Sequence, residues 1–260
     1  MKVSSYQPGQ PCWVELASND ALSARHFYSA LFDWGLKDMP MPEGVYTMFT
    51  LGEDDVGAMF QMPEFMAQAD TPTHWGIYFA VADVAASAQL VQQHGGSVVM
   101  GPHDVGDAGS MVLCQDPEGA HFSIWQAKQH VGCMRKDENS TLCWVELACR
   151  DTQKAGEFYT KVFGWQSSVQ DMSGFEYTEW HTSAGPQGGM MAMTEEWGDL
   201  PAHWMSYFMV ENCDASAAKA AELGGKVCVP PTDIANVGRF AVLNDPQGGV
   251  FSVITLTTPS

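Results

Sequence analysis

PCWVELASND, residues 11–20, returns almost unchanged as LCWVELACRD at residues 142–151. HFYSALFDW at 26–34 likewise returns as EFYTKVFGW at 157–165. Both pairs are separated by 131 positions, since 144 minus 13 and 165 minus 34 are equal. Matching blocks at a constant spacing are typical of a duplicated structural unit. The chain is therefore predicted to contain two copies of one module.

Three further pairs of blocks extend the repeat towards the end of the chain. THWGIYFAV (73–81) matches AHWMSYFMV (202–210), HGGSVVMGP (94–102) matches LGGKVCVPP (223–231), and DPEGAHFSI (116–124) matches DPQGGVFSV (245–253). Here the spacing is 129, since 203 minus 74 gives that value. The second copy therefore lacks two residues ahead of the THW block, and such deletions fall in surface loops.

The domain organisation follows from the repeat and from the length of 260 residues, which suits two domains of ordinary size. We predict module 1 at 8–127, module 2 at 139–257 and a linker at 128–138. In the linker, hydrophobic alternation stops and polar residues take over.

Within each module the residue pattern predicts a strand, a helix and then further strands. WVEL alternates, and ALSARHFYSALF (21–32) places apolar residues at helical spacing. HWGIYFAV begins a second such unit, and the turn DPEG (116–119) predicts a hairpin. The predicted order is β-α-β-β(-β), twice in each module.

Composition and charge narrow the choice of partners. The formal net charge of -19 repels phosphate backbones and anionic lipid, so nucleic acid and membrane are not expected as partners. We find no apolar run of the ~18 residues that a membrane span needs and no signal peptide, so a cytoplasmic location is expected. The seven cysteines are scattered singly, and reduced thiols are expected.

Two features resemble the vicinal oxygen chelate superfamily. One is the V-x-D sequence at the end of a strand before a helix, as at Val81-Ala82-Asp83, and the other is the DPxG hairpin of each module. That superfamily includes glyoxalase I, bleomycin resistance proteins and extradiol dioxygenases. The paired CWVEL and HW…YF…V blocks resemble a tandem, two-module glyoxalase-like subgroup whose members are often labelled hydroxylases. The resemblance covers about 11–256. It implies an α+β fold in which two βαβββ units per module form a cupped mixed sheet, with helices outside and a ligand or metal inside.

Alternation along a strand assigns side chains to two faces, so Trp13 and Glu15 share one face while Val14 and Leu16 share the other. We assign the first pair to the cup. The same parity on the other strands gives the candidate ligand-binding residues Trp13, Glu15, His74, Tyr78, His121, Ser123, Trp144, Glu146, His203, Tyr207 and Ser252.

The family metal site is expected to be missing. The resemblance implies His and carboxylate ligands, but the matching positions hold Trp13 and Trp144, Gly76 and Met205, and Ser123 and Ser252. We therefore predict no metal and no cofactor. One alternative stays open, in which His74, Glu15 and His121 form a shifted metal site in module 1.

Glu15 and Glu146 are the candidate catalytic residues, because a carboxyl among apolar neighbours is often shifted in pKa. Equally, each could hydrogen-bond a loop or the opposite module.

Three functions stay open: a metal-free protein that binds an aromatic or carbonyl-bearing small molecule, a glyoxalase-type lyase, isomerase or dioxygenase/hydroxylase, and a structural protein. The expected assembly is a monomer or homodimer.

We expect module 1 to hold the more selective cup. Its polar residues His121 and Gln61 correspond to Val250 and Ala192 in module 2, where the strand GGMMAM (188–193) is apolar and compliant.

Overall fold

The computed structural model describes residues 1–41, 44–68, 71–172 and 174–257. Module 1 consists of β1 (Pro11–Ser18), α1 (Ala21–Phe32), β2 (Gly35–Met41), β3 (Gly44–Leu51), β4 (Asp54–Gln61), α2 (Glu64–Gln68), β5 (His74–Ala80), α3 (Val84–Gln93), β6 (Ser97–Val105), β7 (Gly109–Gln115) and β8 (His121–Ala127). Module 2 consists of β9 (Leu142–Cys149), α4 (Thr152–Phe163), β10 (Gln166–Asp171), β11 (Glu176–Thr182), β12 (Gly185–Ala192), a 3₁₀ turn (Glu195–Trp197), β13 (His203–Met209), α5 (Cys213–Glu222), β14 (Lys226–Ile234), β15 (Gly238–Asn244) and β16 (Val250–Leu256).

Each module folds into its own eight-stranded sheet, and the two sheets have the same strand order. The orders are β2-β3-β4-β1-β5-β8-β7-β6 and β10-β11-β12-β9-β13-β16-β15-β14. The two βαβββ units of a module meet where β1 pairs antiparallel with β5. The predicted α+β fold and the predicted equivalence of the modules are confirmed: Trp13 pairs with Tyr78, and Trp144 pairs with Tyr207.

The repeated helices begin and end for local reasons. Asp20 caps α1 by accepting a hydrogen bond from the Ser23 amide at 3.0 Å, and Asp151 caps α4 by accepting from the Lys154 amide at 2.9 Å. Past the end of α4, Gly164 has a φ of 70°, a left-handed conformation that glycine adopts without strain.

The two modules meet through the helix-bearing faces of their sheets. Val14, Leu16 and Ile77 are buried on this face. The Phe79 ring of module 1 lies 5.1 Å from the Trp204 ring of module 2, so aromatic packing continues across the boundary. The cups are therefore formed by the opposite faces, away from the contact between modules.

A pair of reciprocal hydrogen bonds joins the modules. The Tyr28 hydroxyl on α1 donates to Asp245 Oδ2 at 2.9 Å, and the Tyr159 hydroxyl on α4 donates to Asp116 Oδ2 at 3.0 Å. Tyr159 is the repeat equivalent of Tyr28, and Asp245 is the equivalent of Asp116. The modules are thus related by an approximate two-fold arrangement within one chain.

Each interface aspartate also organises its own hairpin turn. Asp245 Oδ1 accepts from the amides of Gln247 and Gly249 at 2.9 and 2.8 Å. The tyrosine hydroxyl is itself held by an indole, since Trp75 Nε1 donates to Tyr28 at 3.0 Å. A continuous set of buried hydrogen bonds therefore runs from one module to the other.

The segment between β8 and β9 packs onto module 1. The Cys133 amide donates to the Cys12 carbonyl and the Met134 amide to the Asp55 carbonyl, each at 2.7 Å. Gly132 has a φ of 116°, and an added Cβ there would collide with the Cys12 carbonyl oxygen. The polar linker predicted at 128–138 is thus ordered against a strand, while its limits remain a prediction.

No helix in the described part of the chain is long and apolar enough to cross a membrane.

Replacing Tyr28 with Phe should lower the free energy of unfolding by about 1–3 kcal/mol, because it leaves the buried Asp245 oxygen and the Trp75 indole without the hydroxyl. Tyr159→Phe should cost a similar amount because its contacts are equivalent. Urea denaturation measures both effects. A double-mutant cycle with Asp245→Asn should show coupling for Tyr28 and none for Tyr159; additive effects of the Tyr28 and Asp245 changes would contradict the assignment.

Candidate functional site

The module 1 cup contains a partly buried hydrogen-bond network centred on Glu15. The Tyr46 hydroxyl donates to Glu15 Oε2 at 2.7 Å, and the Tyr78 hydroxyl donates to Oε1. Trp13 Nε1 donates to the Tyr46 hydroxyl at 3.2 Å. Strands β1, β3 and β5 thus bring an indole, two phenols and a carboxyl together on the cup face.

The module 2 cup repeats the same network around Glu146. Tyr177 and Tyr207 donate to its two oxygens at 2.9 and 2.8 Å, and Trp144 Nε1 donates to Tyr177 at 2.8 Å. The alternative in which each glutamate bonds a loop or the opposite module is wrong, because both tyrosine partners come from strands of the same sheet.

The environment keeps these groups protonated to a higher pH than usual. Burial raises the pKa of the Glu15 carboxyl, while the hydrogen bonds from Tyr78 and Tyr46 lower it in part. Burial likewise raises the pKa of Glu146, opposed by Tyr207 and Tyr177. Burial, followed by the nearby Glu15, raises the pKa of Tyr78, so this phenol stays a hydrogen-bond donor.

The predicted histidines occupy the edge of the site. His74 and His203 lie at equivalent strand starts, and the Nδ1 atom of each lies 2.8 Å from the carbonyl oxygen of the proline two residues earlier. His121 is exposed at the start of β8. These side chains lie at the rim, whereas Glu15 and Tyr78 form the interior.

The two predicted serines are buried in the cups. Ser123 lies opposite Tyr78 in the pairing of β5 with β8. Ser252 lies opposite Tyr207, and its hydroxyl lies 2.8 Å from Met205 Sδ. The parity argument therefore placed both correctly, although their role in binding remains a prediction.

The family-type metal does not fit the side chains present. The three matched strand positions of module 1 hold Trp13, Gly76 and Ser123, which supply no imidazole or carboxylate. The oxygens of Glu15 are already engaged by two phenols, and His74 Nδ1 is engaged by a backbone carbonyl. In the residues that the structure describes, no three His, Cys, Asp or Glu side chains form a group able to hold a metal ion.

Access differs between the two cups. In module 1 the His130 ring of the connecting segment lies 4.5 Å from the Trp13 ring, edge to face, and Trp13 is only 4% exposed. The His130 carbonyl accepts a hydrogen bond from Trp125 Nε1 at 2.9 Å. In module 2, Trp144 is partly exposed and lines a cavity of about 300 Å³ together with Gln187.

The expectation that Gln61 faces the cup is wrong. Its amide lies at the start of α1, where Oε1 accepts from the Ala21 amide at 3.0 Å and Nε2 donates to the Asn19 carbonyl at 2.8 Å. Gln61 follows Phe60, whose ring stacks with Tyr46 on the cup side, so strand alternation turns Gln61 to the helix side.

Sequence reasoning missed Tyr46 and Tyr177, although the repeat contained the signal. They are separated by the same 131 positions as Trp13 and Trp144, since 177 minus 46 is 131. The run VYTMFTL (45–51) predicts a strand, but its faces were not assigned, and so its tyrosine was not connected to Glu15.

Tyr46→Phe should raise the pKa of Glu15 further, because it removes a donor that lowers this pKa. Tyr177→Phe should act in the same way on Glu146. Carbon-13 NMR of labelled glutamate carboxyls follows both titrations, and Tyr6→Phe, outside the network, serves as the control. Unchanged titration midpoints would contradict the assignment.

The raised pKa values also fix the sign of a stability effect. Below the ordinary glutamate pKa of the unfolded chain, protonated Glu15 and Glu146 leave the fold at its full stability. Above that pH the unfolded chain has released protons that the folded chain still holds, so the free energy of unfolding falls as the pH rises through the folded-state pKa. Urea denaturation of Glu15→Gln/Glu146→Gln should therefore show a smaller loss of stability over this interval than the parent chain.

Comparisons with known proteins agree with the repeat. The family model described as "Glyoxalase/Bleomycin resistance protein/Dioxygenase superfamily" matches residues 11–124 and again 141–253. "Putative glyoxylase CFP32" of Mycobacterium tuberculosis is 43% identical over 256 residues, covering 97% of each chain. "Anthracycline biosynthesis protein DnrV" of Streptomyces peucetius is 33% identical, covering 98% of this chain and 96% of its own.

Solved structures share the fold at low identity. The Mn(II)-bound glyoxalase from Novosphingobium aromaticivorans has a TM-score of 0.65 at 15% identity and covers 96% of this chain and 82% of its own. The 2,2',3-trihydroxybiphenyl 1,2-dioxygenase from Sphingomonas wittichii strain RW1 has the same score and identity, with 96% and 91% covered. This chain therefore belongs to the glyoxalase/bleomycin resistance protein/dioxygenase superfamily.

Proposed function

We propose that the chain binds a small, uncharged molecule bearing a carbonyl group or aromatic ring in its cup, without a metal of the family type. The observation that carries this proposal is the Trp-Tyr-Glu-Tyr network, present once in each cup. Pockets of this kind combine apolar walls with a few polar anchors.

The network supports recognition of a neutral hydrogen-bond acceptor. Each oxygen of Glu146 already accepts from a phenol. A proton held by the carboxyl is therefore free to be donated to a carbonyl oxygen of the ligand. An anionic ligand is disfavoured by the formal charge of -19 and by the acidic anchor itself.

We place the binding site in the cup of module 2. The polar contrast that favoured module 1 is reduced, because Gln61 lies on the helix side and His121 is exposed. The networks are equivalent and both glutamates are partly buried, so the cups differ in access at Trp13 and Trp144. His130 covers Trp13 in module 1, while Trp144 in module 2 is partly exposed and lines a cavity with Gln187 and the connecting-segment residues Lys136 and Asp137.

The names of the relatives support the chemical class. Glyoxylase chemistry, in the mycobacterial name, concerns carbonyl compounds, and anthracyclines, in the streptomycete name, are polycyclic aromatic ketones. Both classes offer carbonyl oxygens, and the second also offers a planar ring system for the aromatic cup.

A second candidate function is proton-transfer catalysis, as in an isomerase or lyase. The raised pKa of the Glu146 carboxyl favours it, because a carboxyl that burial makes a weaker acid is a candidate for acid–base work. In that reaction Glu146 would move the proton, while Tyr177 and Tyr207 would position its two oxygens.

Protein purified without chelator should contain less than one equivalent of Zn, Fe, Ni or Mn per chain by mass spectrometry of the elements. The reason is that the strand positions matching the family's metal ligands hold Trp144, Met205 and Ser252 in module 2, which supply no imidazole or carboxylate. One tightly held equivalent, lost in Glu15→Gln or His74→Ala, would overturn the metal-free proposal and identify the shifted site.

Binding of quinizarin, a neutral hydroxyanthraquinone, should be weakened about 5- to 150-fold by Glu146→Gln, which corresponds to about 1–3 kcal/mol. Tryptophan fluorescence quenching measures the affinity. Glu15→Gln is the matched control in the covered cup and should change the affinity little. His203→Ala should weaken quinizarin binding more than His74→Ala does. Larger losses from the module 1 pair would favour the site expected from the sequence.

A further variant separates the effect of access to the cup from the effect of the hydrogen-bond network. In a His130→Ala background, removal of the ring above Trp13 should open the first cup, so that Glu15→Gln then weakens quinizarin binding. If Glu15 still has no effect, the difference between cups does not arise from His130.

A further inference from the structure

We propose a second small-molecule site, on the helix side of the module 2 sheet, that binds planar aromatic cations. It lies on the opposite face of the sheet from the Glu146 network and does not depend on the function proposed for the cups. The evidence is a cleft that the same chain fills in module 1 and leaves open in module 2.

The cleft has a volume of about 780 Å³, within the usual range for small-molecule sites. It lies between α4 and the strands β10 to β12, and the turn around Trp197 forms one side. Met190 forms part of its buried floor. Val169 and Phe175, which are 62% and 48% exposed, add apolar surface.

Module 1 fills the corresponding space with an arginine. Arg25 NH1 lies 2.6 Å from Asp38 Oδ1 and 3.0 Å from Thr47 Oγ1, so its side chain runs from α1 across to β2 and β3. Adding 131 to 25 places Gly156 at the equivalent position of α4. The charged partner is lost as well, since Val169 replaces Asp38.

A second substitution enlarges the same opening. In module 1 the Gln61 side chain spans from β4 to the start of α1, where it bonds the backbone of Asn19 and Ala21. Its equivalent is Ala192, which lines the cleft and is too short to make those bonds. Two long polar side chains in one module thus correspond to a glycine and an alanine in the other.

Packing does not require Gly156. A Cβ built there would meet only the Met190 methyl carbon, at 3.9 Å, an ordinary contact. The backbone at this position is ordinary helix, in which glycine is less stable than alanine. The fold therefore tolerates a side chain, and what glycine provides is an unobstructed cleft.

The charges and rings around the cleft indicate its ligand. Glu157, Glu176 and Glu196 line it against one cation, Lys161. The indole of Trp197 adds an aromatic face, on which organic cations bind favourably. Carboxylates, aromatic surface and open volume together fit a flat aromatic ring system carrying a positive charge, within a chain whose overall charge attracts cations.

The probe for this site is 9-aminoacridine, a planar cation at neutral pH, compared with neutral acridine and anionic acridine-9-carboxylate. Isothermal titration should show one strong site for the cation, at least tenfold weaker binding of the neutral ring, and none of the anion. Affinity for the cation should fall with added salt. Equal affinities for the three probes would overturn the charge assignment.

Variants taken from module 1 test the location. Gly156→Arg and the neutral Gly156→Gln should each weaken 9-aminoacridine binding at least tenfold, whereas Gly156→Ala should leave it unchanged and raise the melting temperature. Ala192→Gln, at an exposed position, tests the same cleft without changing the helix. Folded Gly156→Gln and Ala192→Gln proteins that bind as tightly as the parent would overturn the proposal.

The same titration keeps the two proposals apart. Glu146→Gln should leave 9-aminoacridine binding unchanged, and Gly156→Gln should leave quinizarin binding unchanged. Loss of 9-aminoacridine binding in Glu146→Gln would place the cation in the cup and overturn the second site, whatever the outcome for quinizarin.

Discussion

The hydrogen bond from a helix tyrosine to the turn aspartate of the other module is the interaction on which the rest of the structure depends. It occurs twice, as Tyr28 to Asp245 and Tyr159 to Asp116. The same aspartates hold the hairpin turns through their Oδ1 oxygens. Their buried Oδ2 oxygens are costly to leave unpaired, and the tyrosine that donates to each is in place only when both modules are paired. Secondary structure and domain pairing are therefore stabilised together.

This contact also determines what the other face of each sheet can do. Val14, Leu16 and Phe79 are buried on the helix side of the sheet, where the partner module packs. Because side chains alternate along a strand, Trp13, Glu15 and Tyr78 face the cup. A glutamate held there is partly removed from water, and two phenols replace part of the lost hydration. The raised pKa of the carboxyl is thus a consequence of its burial on the cup face.

Much of this could be predicted from the residues. A constant spacing of 131 identified the modules, and strand parity placed Glu15 and Tyr78 on one face. Parity failed for Gln61, because its strand was identified without the register that fixes its faces, and Tyr46 was left out for the same reason. The approach of His130 to Trp13 depends on the path of a connecting segment, which has no periodic signal in the sequence. The helix-side cleft depends on where the Arg25 side chain and Gly156 lie relative to the sheet, which the repeat in the sequence does not give.

The connecting segment has a consequence for how duplicated proteins diverge. A fused chain has a single connection, and its residues can lie beside the two cups in different ways. Here it covers Trp13 in module 1 with His130, while Lys136 and Asp137 only border the cavity beside Trp144. A single connection thus gives the two cups different surroundings even though the same Trp-Tyr-Glu-Tyr network is built into both.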